Sequence, residues 1–407
     1  MKYLYISRNQ NISFNEDYWY INGVEQKRPI EEIRTTEELA KNGTKQYMKN
    51  VLTNLFSHFK HIAILTAAGT SMDNGEHRGK TRDGLWKECR DDIKAIIREL
   101  HKKQACSNKM KSIVREKNIE DFLSYLILFE KISDEIKDST GNSLRESIEK
   151  KIANACNLEL DKSNKHHGEF LNKLVARKPS DPRVQLFTTN YDTLFEQAAK
   201  KRGFTIIDGF SFSFPRYFAG KNFDYDIVYR EKTRLKQEES FVPNIFHLYK
   251  LHGSIDWEKD KNGIIQQTEK TQKPCIIYPA SEKYESSYEQ PYFEMMARFQ
   301  QTLRQESTLL IVIGFGFQDK HIQNVIKEAV FQNPNFHLVI INYNRNNDDE
   351  TGILPNLLPD YIDLNMSTES NVSVIFSTFK DFVEVFPINQ SYYKSERIED
   401  NGAIQPQ

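Results

Sequence analysis

The chain has 407 residues with 56 basic and 57 acidic side chains and a formal net charge of -1; it is long enough to bury a sizeable core in one large domain with an insertion or in two modest ones, and so evenly charged that no global field recruits nucleic acid or an anionic membrane. The four cysteines, Cys89, Cys106, Cys156 and Cys275, form no C-x-x-C pair, which argues against a zinc ribbon and against a disulfide framework. With no stretch as long as a membrane span and no secretory leader pattern, the expectation is a soluble cytoplasmic protein with free thiols.

Residues 3 to 22 alternate aromatic and β-branched side chains around Arg8-Asn9-Gln10-Asn11 and read as a small hairpin ahead of the main fold. Thr35-Thr36-Glu37-Glu38 is a helix start, and Tyr47, Val51, Leu55 and Phe59 then recur at helical spacing up to an apolar strand, His61 to Thr66. From about residue 84 to 178 strand signals vanish, while Ile119, Phe122, Leu123 and Leu126 keep helical period; this reads as a helical insertion. Strand character returns at Val184 to Thr188, followed by a helix through Leu194 and Ala198 that ends at Gly203, then a strand at Phe204 to Ile207. Further strands are expected at Phe246 to Leu251, Ile255 to Glu258, Cys275 to Tyr278, Leu309 to Ile313 and His337 to Ile341, with a turn at Lys261-Asn262-Gly263 and helices over Phe293 to Leu303 and residues 319 to 331. From Tyr392 the chain is polar and is expected to fray.

Apolar strands alternating with helices predict an α/β fold with a mostly parallel sheet covered on both faces. In chain order the expected parts are an N-terminal hairpin and helix (1–55), the first part of the sheet domain (56–83), the helical insertion (84–178), the remainder of the sheet domain (179–345) and a C-terminal segment and tail (346–407).

Ligands of open parallel sheets bind beyond the carboxyl ends of the strands, so the residues just after each apolar run carry the information. The first run leads into Ala67-Ala68-Gly69-Thr70-Ser71, small residues whose amides and hydroxyls suit a pyrophosphate. The second ends in Thr188-Thr189-Asn190-Tyr191-Asp192, a third in His252-Gly253-Ser254, and a fourth in Gly314-Phe315-Gly316-Phe317 with Asp319 opening the next helix. Each has a plain structural explanation: close packing for the small-residue turn, helix capping for Asn190 and Asp192, a satisfied strand-end histidine for His252, and a tight aromatic turn for Gly314 to Phe317. Their joint occurrence in this order favours a ligand site. His166-His167 lacks a ligand cluster and reads as a surface pair. The segment from Gly75 to Thr81 has three residues between its glycines where a Walker loop needs four, and reads as a mobile loop beside the site; Arg78, Lys80 and the following Arg82 read first as a solvated charge run, with contact to an anionic ligand as the alternative.

These four strand ends resemble, in order, the sirtuin-like or silent information regulator family, over about residues 56 to 84 and 180 to 345. Ala67-Ala68-Gly69-Thr70-Ser71 is similar to its pyrophosphate loop, with Ala67 where the family has its first glycine; Thr189-Asn190-Tyr191-Asp192 to its Gln-Asn-x-Asp element, with Thr189 in place of Gln; Leu251-His252-Gly253 to the strand of its catalytic histidine; Gly314-Phe315-Gly316 to its adenosine-side turn; and Ile341-Asn342 to the pair near the adenine ribose. The resemblance implies a Rossmann-like NAD-binding domain, Asn190 and His252 as catalytic residues, and cofactor contacts from Ala67, Ala68, Gly69, Thr70, Ser71, Thr189, Asp192, Gly314, Phe315, Gly316 and Asn342, with NAD as substrate and no metal.

Within the superfamily, Phe187 to Asp192, Tyr249 to Ser254, Ile277-Tyr278-Pro279 and Gly314 to Phe317 look like the branch found in bacterial antiphage systems that act with a HerA-type ATPase. That likeness implies NAD depletion during infection and assembly with the ATPase into a ring, with self-association, nucleic-acid contact through the complex and no membrane partner. Only Cys275 lies where the deacetylases carry a four-cysteine zinc module, which makes an acetyl-lysine groove doubtful and water the expected acceptor. The expected reaction is hydrolysis of NAD to nicotinamide and ADP-ribose, with a cyclic form of the product left open. A deacylase or ADP-ribosyltransferase using the same pocket, and a non-catalytic NAD- or ADP-ribose-sensing subunit, stay open as alternatives.

Overall fold

A computed structural model describes residues 2–7, 10–26, 35–104, 107–132, 136–137, 143–178, 181–229, 241–268, 271, 273–276, 290–317, 319–343 and 371–388. The expected tail from Tyr392, Cys106 and the Ile277-Tyr278-Pro279 phrase lie outside the described residues.

The central sheet takes eleven strands in chain order: β1 (Lys2–Ile6), β2 (Asn11–Phe14), β3 (Trp19–Ile21), β4 (Val24–Gln26), β5 (His61–Thr66), β6 (Gln185–Thr188), β7 (Thr205–Ile207), β8 (Ile245–Lys250), β9 (Thr308–Ile313), β10 (Phe336–Asn342) and β11 (Val372–Phe376). Across the sheet the order is β4-β3-β2-β1-β11-β10-β9-β5-β6-β8-β7. From β11 to β7 every neighbouring pair is parallel, whereas β1 to β4 form an antiparallel meander joined to β11. This is a Rossmann-like arrangement: the sheet grows from β5 in one direction through β6 and in the other through β9, so the β5/β9 boundary is its topological switch point.

Register brings the strand ends level. Ile313 faces Thr66, Thr66 faces Thr188, and Thr188 faces Lys250, so the chain leaves β9, β5, β6 and β8 along one edge. Four loops distant in sequence therefore open side by side.

The helices, again in chain order, are α1 (Thr36–His58), α2 (Arg82–Glu88), α3 (Arg90–Lys102), α4 (Asn108–Glu116), α5 (Ile119–Ile132), α6 (Leu144–Cys156), α7 (His166–Val175), α8 (Leu194–Arg202), α9 (Tyr292–Arg304), α10 (Lys320–Gln332) and α11 (Phe379–Val385). α1 starts where the sequence predicts, because Thr35 and Glu38 cap each other's backbone amides reciprocally. α8 ends at Gly203, whose φ of 71° terminates the helix at no steric cost.

The continuous apolar strands are explained by burial on both faces. Ile62, Ile64, Leu309, Ile311 and Ile313 point into the layer that contains α1, α7, α8 and α11, while Ala63, Leu65, Leu310 and Val312 point into the layer of α9 and α10. Each buried Leu or Ile of this kind contributes about 1.5–3 kcal/mol by leaving water. The helices from α2 to α6 bury a separate cluster around Trp86, Ile93, Ile113, Phe122 and Ile148, and Tyr191 from the sheet domain reaches into it.

Three features differ from the sequence expectation. Strands β1 to β4 do not stand ahead of the fold but extend its sheet at the β11 edge. β11 and α11, in the segment read as a C-terminal appendage, complete the sheet and one core layer. His166 and His167 are not a surface pair: both are buried, because α11 brings Phe379 edge-on to their rings at 5.4 and 5.1 Å, with Phe195 4.9 Å from His167. Burial, then the neighbouring His166, pushes His167 well below the usual imidazole range and keeps it neutral. Among the described residues no helix is long and apolar enough to cross a membrane.

Candidate functional site

Beyond the level strand ends lies a cleft of about 180 Å³ lined by Ala67, Ala68, Ser71, Thr189, Asn190, Asp192, His252, Gly314, Phe315 and Gly316. A larger groove of about 860 Å³ runs past Thr193, Lys200, Arg216 and Asp256 but contains none of the residues singled out from sequence, so chemistry rather than size selects the cleft.

The first loop closes on itself. Ala68–Ser71 makes a single helical turn; the amides of Ala67, Gly69 and Thr70 donate to the carbonyls of Ile313, Gly314 and Ala67. The Thr70 hydroxyl donates to the Ala67 carbonyl, and the Ser71 hydroxyl donates to Asp192 Oδ2 at 2.6 Å. The donors that the sequence offered to a pyrophosphate are thus largely committed inside the protein, which narrows the loop's direct grip on an anion. Gly69 is required for packing: a Cβ there would lie 2.5 Å from Gly314 Cα, and Gly314 itself sits at φ 65°.

Asn190 is almost fully buried. Its Nδ2 lies 3.1, 3.2 and 2.9 Å from the Ala67 carbonyl, Thr70 Oγ1 and Ser71 Oγ, stitching the second strand end to the first loop. With the nitrogen so committed, the carbonyl oxygen is what Asn190 offers a ligand. Asp192 accepts from Ser71 and from the Leu194 amide at the start of α8. Burial pushes its carboxyl above the ordinary range, opposed by Lys250 and those two hydrogen bonds.

Lys250, at the end of β8, is a buried cation that sequence reading passed over. Its Nζ donates to the Asp192 carbonyl and, at 2.8 Å, to Glu196 Oε1, pinning the start of α8. Burial alone would lower its pKa, but Glu196, Asp256 and Asp192 together raise it, so it stays charged.

His252 follows directly. Its Nε2 lies 2.9 Å from Asp319 Oδ2, and both side chains are less than a tenth exposed. Asp319 also caps α10 by accepting from the amides of His321 and Ile322. Burial by itself would raise the Asp319 pKa; the bond and charge of His252 and the two amides outweigh it and hold the carboxyl below the ordinary range. An ionised Asp319 accepts the Nε2 proton, which leaves Nδ1 as the basic nitrogen. From sequence Asp319 is only a helix opener; the bond to His252, 67 positions away, has no local signal. The turn after His252 needs Gly253, at φ 85°, since a Cβ would stand 2.2 Å from the Cys275 carbonyl.

The remaining wall comes from outside the sheet. The Gly75–Thr81 segment is held down, because the Gly79 amide donates to the Ser71 carbonyl at 2.8 Å and a Cβ on Gly79 would meet Ser71 at 2.6 Å. Lys80 and Arg82 line the cleft, as do Glu120 from α5 and Cys156 from α6. Lys80 pairs with Glu88, whereas Arg78 is exposed. Burial pushes the Cys156 thiol up to about 12, so it stays protonated. Asn342 ends β10 beside this edge without lining the cleft. Among the described residues no group of three or more His, Cys, Asp or Glu side chains could hold a metal ion.

No curated protein matches the chain. Among solved structures it is similar to one described as the structural basis for the mechanism and regulation of Sir2 enzymes, at 11% identity and TM-score 0.35 over 84% of this chain and 97% of that one. Others are a Sir2 histidine variant with a deacetylated p53 peptide and 3'-O-acetyl ADP ribose, at 14% identity and TM-score 0.33 over 84% and 96%, and a Sir2 mutant with p53 peptide and NAD, at 16% and 0.33 over 83% and 96%. Residues 184–358 match the family described as SIR2-like domain. The matched stretch includes Asn190, Asp192, His252 and the Gly314 turn, while β5 and the first loop lie upstream of it.

Proposed function

We propose that this chain hydrolyses NAD at the bond between nicotinamide and ribose. The observation that carries this reading is the convergence of His252, oriented by Asp319, and Asn190 on one cleft at the switch point of a parallel sheet. Nicotinamide leaves that bond as a neutral ring and needs little acid assistance, so the protein's task is to stabilise an oxocarbenium-like ribose and to present a nucleophile.

His252 Nδ1 accepts a proton from a ribose hydroxyl or from water. Asn190, locked by its own nitrogen, presents its oxygen in one orientation to the same sugar or water. The first loop and the Gly314 turn shape the side where the pyrophosphate and adenosine lie. The likeness to the antiphage branch extends the proposal to NAD depletion during infection, in a ring with a HerA-type ATPase.

The test is chromatography of NAD incubated with the purified chain, alone and with the ATPase and DNA, beside His252→Ala and Asn190→Ala. Each substitution is expected to cut nicotinamide release on the order of 100-fold or more while leaving the fold intact. Unchanged turnover in both variants refutes the mechanism, and turnover that depends on an added acetyl-peptide assigns the site to transfer instead.

A further inference from the structure

The hydrolysis proposed above has to dispose of one proton per turnover. The bond between C1' of the ribose and the nicotinamide nitrogen breaks, its electron pair leaves with neutral nicotinamide, a water oxygen bonds to C1', and that water gives up a proton. One imidazole tied at Nε2 to Asp319 has a single nitrogen for both the ribose hydroxyl and the water. A second proton acceptor would divide the work.

The cleft contains one. Glu120 lies in the first turn of α5 and lines the same cleft as His252, Asn190 and Asp319, entering from the helical segment rather than from the sheet. Its backbone is fixed: the Asn118 side chain accepts from the amides of Glu120 and Asp121, both at 3.2 Å, and donates to Asp121 Oδ2 at 2.7 Å. A carboxylate in the first turn of a helix is also favoured by the helix dipole. Capping explains Asn118 and Asp121; it does not explain a half-buried glutamate turned into a cleft beside a histidine.

We propose that Glu120 is the base that takes the proton from the attacking water, leaving His252 to act on the ribose; this rests on the NAD-hydrolase reading. Burial pushes the Glu120 carboxyl up to about 7; His252 and Arg82 oppose that shift, Asp319 and Asp121 add to it, and Lys80 and Asp192 line the same cleft. A carboxylate poised there is ionised just above neutrality and more basic than a surface glutamate. The helical segment thereby acquires a chemical role: it carries the group that makes water the acceptor.

The experiment uses the full chain and two readouts, release of nicotinamide and exchange of labelled nicotinamide into NAD, which needs cleavage and re-formation of the bond but no water. In Glu120→Gln, hydrolysis is expected to fall on the order of 100-fold while exchange stays within a few-fold of wild type. Glu120→Asp should recover part of the hydrolysis. Wild-type hydrolysis should rise with pH through about 7, and the residual activity of Glu120→Gln should rise less steeply over that range. Unchanged hydrolysis in Glu120→Gln, or parallel loss of hydrolysis and exchange, overturns the role of Glu120 and leaves NAD cleavage standing. Absence of both reactions in the wild type, alone and with the ATPase and DNA, overturns the parent reading and this one with it.

Discussion

On the Asn190 side of the cleft, neutral groups hold one another: an amide, two hydroxyls and the Ala67 carbonyl, with the buried Asp192 accepting from Ser71. On the His252 side the groups are ionisable and come from three separate elements, His252 after β8, Asp319 before α10 and Glu120 on α5. The first side is built from neighbouring strand ends and can be rigid before any ligand arrives. The second depends on the sheet domain and the helical segment being docked together, and its properties follow pH. A fixed cradle beside a titratable wall is what a reaction needs when substrate must be held in one pose while protons move.

That contrast can be broken most severely at Asp319. Asp319→Asn keeps the shape and the helix cap but removes the charge that fixes the His252 tautomer; nicotinamide release is expected to fall on the order of 1000-fold with NAD affinity within a few-fold. Equal losses in kcat and affinity would show that Asp319 is only structural. On the other side, Gly69→Ala forces a methyl against the Gly314 backbone, and neither partner is a flexible side chain. It should weaken NAD binding on the order of 10-fold by calorimetry and lower stability by about 1–3 kcal/mol.

Ser71→Ala leaves Asn190 and Asp192 each one partner short, for a loss of about 1–3 kcal/mol in denaturant unfolding. A last test sharpens the titratable side. Glu120 moves from an ordinary value of 4.5 to about 7 on folding. Between those values the folded chain keeps a proton that the unfolded chain has released, so this group's contribution falls as pH rises through the window, and the penalty is complete above it. Glu120→Gln should therefore gain stability relative to wild type from pH 5 to pH 8, read as a growing difference in unfolding midpoint. A constant difference would place Glu120 in water.

The legibility of the molecule divides along the same line. β5 is read with its observed bounds, and β6 to β10 within one residue at each end, because strands buried on both faces are continuous apolar runs with abrupt polar ends. The residues at those ends, Asn190, His252 and Gly314 among them, converge because parallel register leaves them no alternative. What sequence does not disclose is pairing across distance. Nothing near Asp319 announces His252, Glu120 looks like the second residue of any capped helix, and Lys250 looks like an interruption in a strand. β11 and α11 escape reading because a long polar stretch separates them from β10, and with them goes the reason that His166 and His167 are buried.

The pairing of β1 with β11 sets Tyr5 against Ile375 and Ile6 against Val374. Synthesis delivers β1 long before β11, so β1 can pair at once with β2 on one edge while its other edge stays open until β11 arrives. Contacts of such sequence separation are slow to form, and an edge awaiting its mate is prone to stray association. Closing that edge joins distant parts of the sequence, and removing either β1 or β11 would expose an unpaired border on the other.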